Sequence, residues 1–196
     1  MLAIFLRIRR FAFPRATMVS SKTPNMKTLP LSAHQFRKAL GHFATGVTVV
    51  TVERAPGSVR GMTANSFTSV SLDPLLILIC VEKRAAILPL LEKKKQFGVS
   101  VLKEGHEAIS EYFSKGAPSA EAEQRLSIHY RWTPSGIPVL EGTLLQLSCE
   151  VVASHLAGDH TIFVGKVAEA EIHDGRPLLY FGGEYRHMAR RPAATT

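Results

Sequence analysis

The chain has 196 residues, 45% hydrophobic and 20% charged, with a formal charge of +8; that length points to one domain, or one domain with an arm. Its longest uninterrupted apolar run, Leu75 to Val81, falls far short of the roughly 20 residues a membrane-spanning helix needs, and its content of Val, Ile, Leu and Phe excludes disorder throughout. The charge is unevenly placed: residues 1–52 hold 8 Lys or Arg and no acidic side chain, whereas the rest holds 16 of each sign and is formally neutral.

Residues 1–28 read as a disordered basic leader, and residues 29–196 as a single domain. The leader is Arg-rich and acid-poor like a transit peptide, but Arg7, Arg9, Arg10 and Arg15 follow the apolar start, the reverse of a secretory signal. Clustered Arg can neutralise phosphates. Without an aromatic platform or binding motif beside it, nucleic acid is not the expected partner, nor is a membrane. Met18 and Met26 lie close ahead of the first helix signal, and a start at Met26 would leave a charge of +3. Cys80 and Cys149 sit in apolar, strand-like runs, the pattern of buried thiols in a reducing cytoplasm.

In chain order, Ser32 and Gln35 form a capping box, and Phe36, Leu40 and Phe43 recur at helical spacing, predicting an amphipathic helix over 32–44. GVTVVTVE is β-branched and reads as a strand, APGS as a turn, and VRGMTANSFTSVS as the returning strand. After Asp73-Pro74, LLILICVE is continuously apolar, as in a strand buried on both faces at the centre of the core. RAAILPLLEKKK is short and helix-like, QFGVSVL a strand, GHEAISEYFS an amphipathic turn or two of helix, and GAPSAEAEQ a mobile surface loop. The segment from GIPVLEG to PLLYF supplies four more strands, with turns at AGD and HDG. Many strands, few helices and short-spaced turns predict a mostly β fold, a closed or split antiparallel barrel.

Familiar chemistries are absent from the sequence: it holds no G-x-G-x-x-G, P-loop, G-x-S-x-G, H-E-x-x-H or C-x-x-C, and its eight His residues are scattered. Three segments remain. Arg60 to Pro74 is dense in small hydroxyl and amide side chains, suited to a polar heterocycle or phosphate, or equally to an exposed strand. Glu82-Lys83-Arg84-Ala85-Ala86 puts two cations at a strand-to-helix corner, suited to a phosphate or simply solvated. Gly158-Asp159-His160 is a turn followed by a lone histidine. Together they describe a barrel able to bind a phosphorylated ligand, without naming a reaction.

TGVTVVT, GMTANSFTSVSLDP, EKRAAIL, QFGVSVL, GIPVLEG and GDHTIFVGKV, in this order and spacing over roughly residues 34–188, resemble the flavin reductase family with the FMN-binding split barrel. The resemblance implies a homodimeric NAD(P)H:flavin oxidoreductase, using FMN or FAD with NADH or NADPH, that supplies reduced flavin to a partner monooxygenase; a flavin-retaining electron carrier or sensor is the alternative. It implies that Thr63, Ala64, Asn65 and Ser66 line the isoalloxazine and ribityl group, with Ser69 and Ser71 nearby. Glu82, Lys83 and Arg84 would lie close to the ribityl phosphate, and Phe97 beside the flavin. His160, the one catalytic candidate, would face the nicotinamide as a positioning residue, and Tyr185 the same pocket. Ala86 departs from the Ser many relatives carry, which removes a phosphate hydroxyl and points to exchangeable flavin; Leu75 stands where many have Pro.

Overall fold

The computed structural model describes residues 31–116 and 119–189; the basic leader expected over 1–28 lies outside them. The elements in order are α1 (Ala33–Leu40), β1 (Thr45–Gly46), β2 (Thr48–Ala55), β3 (Ser58–Ala64), β4 (Phe67–Leu72), β5 (Leu75–Glu82), α2 (Leu88–Lys94), β6 (Gln96–Val101), α3 (Glu107–Ser114), α4 (Ala120–Arg125), β7 (Tyr130–Trp132), β8 (Pro138–Leu140), β9 (Leu145–Ala157), β10 (His160–Ile172), β11 (Leu179–Phe181) and β12 (Glu184–Arg186). The mostly β fold with few helices is as the sequence predicts.

Seven strands form one antiparallel sheet in the order β3-β2-β6-β9-β10-β5-β4. Its two edges, β3 and β4, are consecutive in the chain and joined only by Asn65 and Ser66. A sheet whose opposite edges are two residues apart must curl until those edges meet at one corner; beyond it they pair with different neighbours and part, giving a barrel split along one seam. VRGMTANSFTSVS is therefore two strands with a change of partner between them. Ser66 makes the change tenable: its hydroxyl donates to the Cys80 carbonyl (3.0 Å) and accepts from the Cys80 N–H (3.2 Å), continuing onto β5 by side chain the bonding that β4 then takes up by main chain.

Inside the curl, Val50, Val52, Ile79, Val81, Phe97 and Phe163 form the main core. Each such side chain contributes roughly 1.5–3 kcal/mol on burial. A second core on the far side of β2 joins Val47 and Val49 to Leu102, Phe113, Leu140 and Leu178 under α3. The strand covered on both faces is thus β2, buried continuously over residues 47–52, whereas in β5 Ile77, Ile79 and Val81 are buried and Leu76, Leu78 and Cys80 only half-buried. The expectation for LLILICVE is corrected: α3 packs on the outer side of β2, whereas the outward side chains of β5 are only half-buried.

The helices follow local chemistry. Ser32 and Gln35 form the expected capping box, with Gln35 N–H to Ser32 Oγ at 3.2 Å and Ser32 N–H to Gln35 Oε1 at 2.9 Å, but α1 ends at Leu40, short of residue 44. Pro89 is tolerated in the first turn of α2, where its missing N–H has no helical partner to lose. The predicted mobile loop contains α4: Ser119 Oγ caps Ala122 N–H and Glu121 and Glu123 occupy the first turn.

Two glycines set how closely the layers approach. A Cβ at Gly98 would lie 2.2 Å from the Pro138 carbonyl oxygen, which accepts from Thr51 Oγ1 at 2.6 Å; one at Gly165 would lie 2.6 Å from Phe97 Cζ. The first obstacle is main chain and cannot swing aside. Gly98→Ala should therefore destabilise by about 3 kcal/mol, read as a lower unfolding midpoint in urea with unchanged slope. A midpoint equal to that of the parent would contradict the packing described for β2, β6 and β8.

Candidate functional site

Where the barrel splits, a cleft of about 510 Å³ opens, within the size range of small-molecule sites. One wall is Arg60 to Ala64 of β3, Asn65 and Ser66 form the corner, and the other wall is Cys80 and Glu82 of β5 with the Arg84–Ile87 turn and His160. Phe113, Ser114 and Gly116 close the third side, the Phe113 ring filling the space a Gly61 side chain would need (Cε1 at 2.4 Å from an added Cβ). The turn bonds Ala85 N–H to Glu82 O (2.9 Å) and Leu88 N–H to Ala85 O (3.0 Å) fix the corner that carries Arg84 and Ala86.

The polar groups at the corner divide by task. Thr63 Oγ1 donates to Ser110 O (2.6 Å), Ser66 Oγ is held by Cys80, and Thr48 Oγ1 donates to Ala64 O (2.6 Å). These bonds hold the seam in shape. Asn65 is exposed, and among the described residues its amide makes no hydrogen bond, so both its donor and its acceptor face ligand or water. The Cys80 thiol is pushed up by burial, and burial pushes Cys149, in the core, up to about 12. Neither is poised as a thiolate.

His160 opens β10 beside Glu82 at the end of β5. Lys83 N–H donates to Asp159 O (2.9 Å), pinning the preceding turn, and His160 Nδ1 lies 2.7 Å from Asp159 Oδ1. The hydrogen bond from the imidazole, together with one from the main chain of Asp159 itself, holds the Asp159 carboxyl below the usual carboxylate range. With Nδ1–H on this carboxylate, a neutral His160 presents Nε2 as an acceptor.

The structure gathers Thr63, Ala64, Asn65, Ser66, Glu82, Arg84 and His160 at one cleft. It does not bring the other sequence candidates there. Phe97 points into the barrel, is 0% exposed and packs against Gly165, so its own chain covers every face that could meet a ligand. Ser69 and Ser71 lie along β4 as it leaves the corner, the latter accepting from Asp73 N–H (3.2 Å), and Lys83 contributes its main chain to the turn rather than lining the cleft. Tyr185 faces a neighbouring cavity of about 270 Å³ with Tyr180 and Ser110, its hydroxyl donating to Ser110 Oγ (2.9 Å). That cavity shares Thr63, Ala64, Asn65 and Ser114 with the cleft but does not include His160.

Arg60 opened the segment read as suited to a polar ligand but was assigned no role of its own, and Phe113 was missed altogether: it reaches the cleft only through packing of α3 on Gly61.

No helix of the described residues is long and apolar enough to cross a membrane. The flavin reductase like domain matches residues 40–189. An NADH-dependent flavin reductase of Rhodococcus sp is 43% identical over 154 residues, 78% of this chain and 84% of that one. The reductase component of 4-hydroxyphenylacetate 3-monooxygenase of Thermus thermophilus is 42% identical over 78% of this chain and 95% of its own. Among solved structures, the NADH:FAD oxidoreductase SgcE6 of Streptomyces globisporus, in complex with NAD and FAD fragments, aligns with a TM-score of 0.73 at 39% identity, covering 82% of this chain and 94% of that one. A sheet split at Asn65–Ser66, a cleft along the split and a match running almost from α1 to the end of the described chain converge: the protein belongs to the flavin reductase family, as an NAD(P)H:flavin oxidoreductase of the split-barrel type.

Proposed function

We propose that this chain passes hydride from NADH to an exchangeable flavin, FMN or FAD, bound along the split, and releases the reduced flavin to a separate flavin-dependent monooxygenase. The observation that carries this reading is the open cleft itself: its wall offers a free amide at Asn65 and a cation at Arg84, beside seam hydroxyls already spent on structure. The two bound groups supply the chemistry, a hydride donor in the nicotinamide and an acceptor in the flavin ring; the chain has to orient them. Thr63 to Ser66 present the flavin edge with polar contacts, and negative charge developing there meets the Asn65 amide. Arg84 draws the phosphate to the turn. His160, held by Asp159, accepts through Nε2 from the nicotinamide carboxamide and so positions it.

Exchange rather than retention is supported by the openness of the cleft and by Ala86, which puts a methyl where a hydroxyl would hold phosphate. NADH rather than NADPH is supported by Arg186 and Lys166, two cations that could otherwise take the extra phosphate: Arg186 pairs with Glu184 (2.6 Å) and Lys166 lies on β10 away from the cleft. A homodimer is supported by the outward Leu76, Leu78, Ile162 and Val164, half-buried on a sheet face that a second copy would cover. Free thiols at Cys80 and Cys149 accord with a cytoplasmic site of action.

Mixed anaerobically with FMN in excess over protein and NADH in excess over FMN, the protein should bleach all of the FMN; reduction of one equivalent per chain and no more would make it a flavin-retaining carrier. In the same stopped-flow assay, His160→Ala should raise KM for NADH about tenfold with the single-turnover hydride rate at saturation little changed. A fall in that rate with unchanged NADH affinity would contradict the positioning role. Sedimentation equilibrium should give twice the 21.5 kDa chain mass, and a monomer at micromolar concentration would contradict the dimer.

A further inference from the structure

Arg60 lies on β3 opposite Val52, half-buried, with its side chain on the cleft wall. Among the described residues it has no carboxylate within 4.0 Å and none of its five donors is in a hydrogen bond. Glu123 shares a small side pocket with it, but its Oε1 accepts instead from Tyr112 (2.9 Å) and Tyr130 (3.0 Å). The guanidinium instead rests against Gly116, its Nη2 4.0 Å from where a Cβ would stand, just past the C-terminus of α3. A partly desolvated cation without an anion is unfavourable, and this one borders a solvent-open cleft.

Arg84 lines the facing wall. Arg60 is five residues before Asn65 along β3, roughly 17 Å of strand, and Arg84 lies in the turn two residues past the end of β5. Ser66 and Cys80 are bonded at the corner, so the two walls diverge from a common point and each carries a guanidinium near its open end. Glu82 is the one acidic side chain lining the cleft among the described residues.

We propose that Arg60 is a second phosphate-binding cation, so that the phosphate end of the flavin lies between Arg60 on one wall and Arg84 on the other. The proposal rests on the flavin reading of this cleft and sharpens its substrate class: flavins that carry a phosphate, FMN and FAD, are selected over riboflavin. Arg is suited to this because its planar donors meet a phosphate oxyanion in pairs. The competing role for Arg60 is structural, as a cation at the C-terminus of α3.

The test measures dissociation constants by quenching of flavin fluorescence, and KM, for riboflavin, FMN and FAD with the parent, Arg60→Met and Arg60→Lys. The Met variant keeps the apolar stem, and should raise the FMN-to-riboflavin ratio of dissociation constants about tenfold, with FAD following FMN; the Lys variant should recover part of the loss. An unchanged ratio overturns the proposal, whether all three flavins weaken together, as a structural role for Arg60 would require, or none does. A parent protein that neither binds nor turns over any flavin would overturn the flavin reading itself, and this proposal with it.

Discussion

The change of hydrogen-bonding partner at Asn65–Ser66 governs the rest of this structure. Up to Ala64 the chain pairs with β2, and from Phe67 it pairs with β5, at opposite ends of a seven-stranded order. Two residues cannot span a flat sheet of that width, so the sheet must wrap. The bonds between Ser66 Oγ and the Cys80 main chain hold the two edges together at that point. Everything downstream, the curled core around Phe97 and Phe163 and the cleft between β3 and β5, follows from edges that meet at one corner and diverge beyond it.

The same constraint explains why the cleft's chemistry is sparse. Hydroxyls at the corner are consumed in keeping the seam closed: Thr63 ties β3 to α3, Thr48 ties β2 to Ala64, and Ser66 ties the linker to β5. What is left for ligand is an amide, a histidine fixed through its neighbour, and cations at the open ends. A site so equipped can orient two planar reactants and hold a phosphate without enclosing either, and release of product then need not wait on a large rearrangement.

Much of this was legible in the residues. The capping box at Ser32, the β10 turn at Gly158-Asp159 and the four strands between GIPVLEG and PLLYF follow local rules that tertiary packing did not override. The split was not: VRGMTANSFTSVS has unbroken β character, and only the identity of each half's partner divides it. The continuous apolar run of LLILICVE also misled, because an apolar outer face in the sequence does not say whether an element of the same chain covers it. Phe97 failed for a related reason: whether an aromatic residue faces ligand or core depends on its place across the sheet, third from the β3 edge, and nothing local encodes that.

The most direct test is a crystal structure of the protein with FMN bound. The isoalloxazine should lie against Thr63–Ser66 at the corner of the split, its phosphate running outward toward the Arg84 turn and His160 facing the open side of the ring. A flavin seated in the cavity between Tyr180 and Tyr185, or one whose ring contacts β4 at Ser69 and Ser71 instead of the corner, would contradict the account.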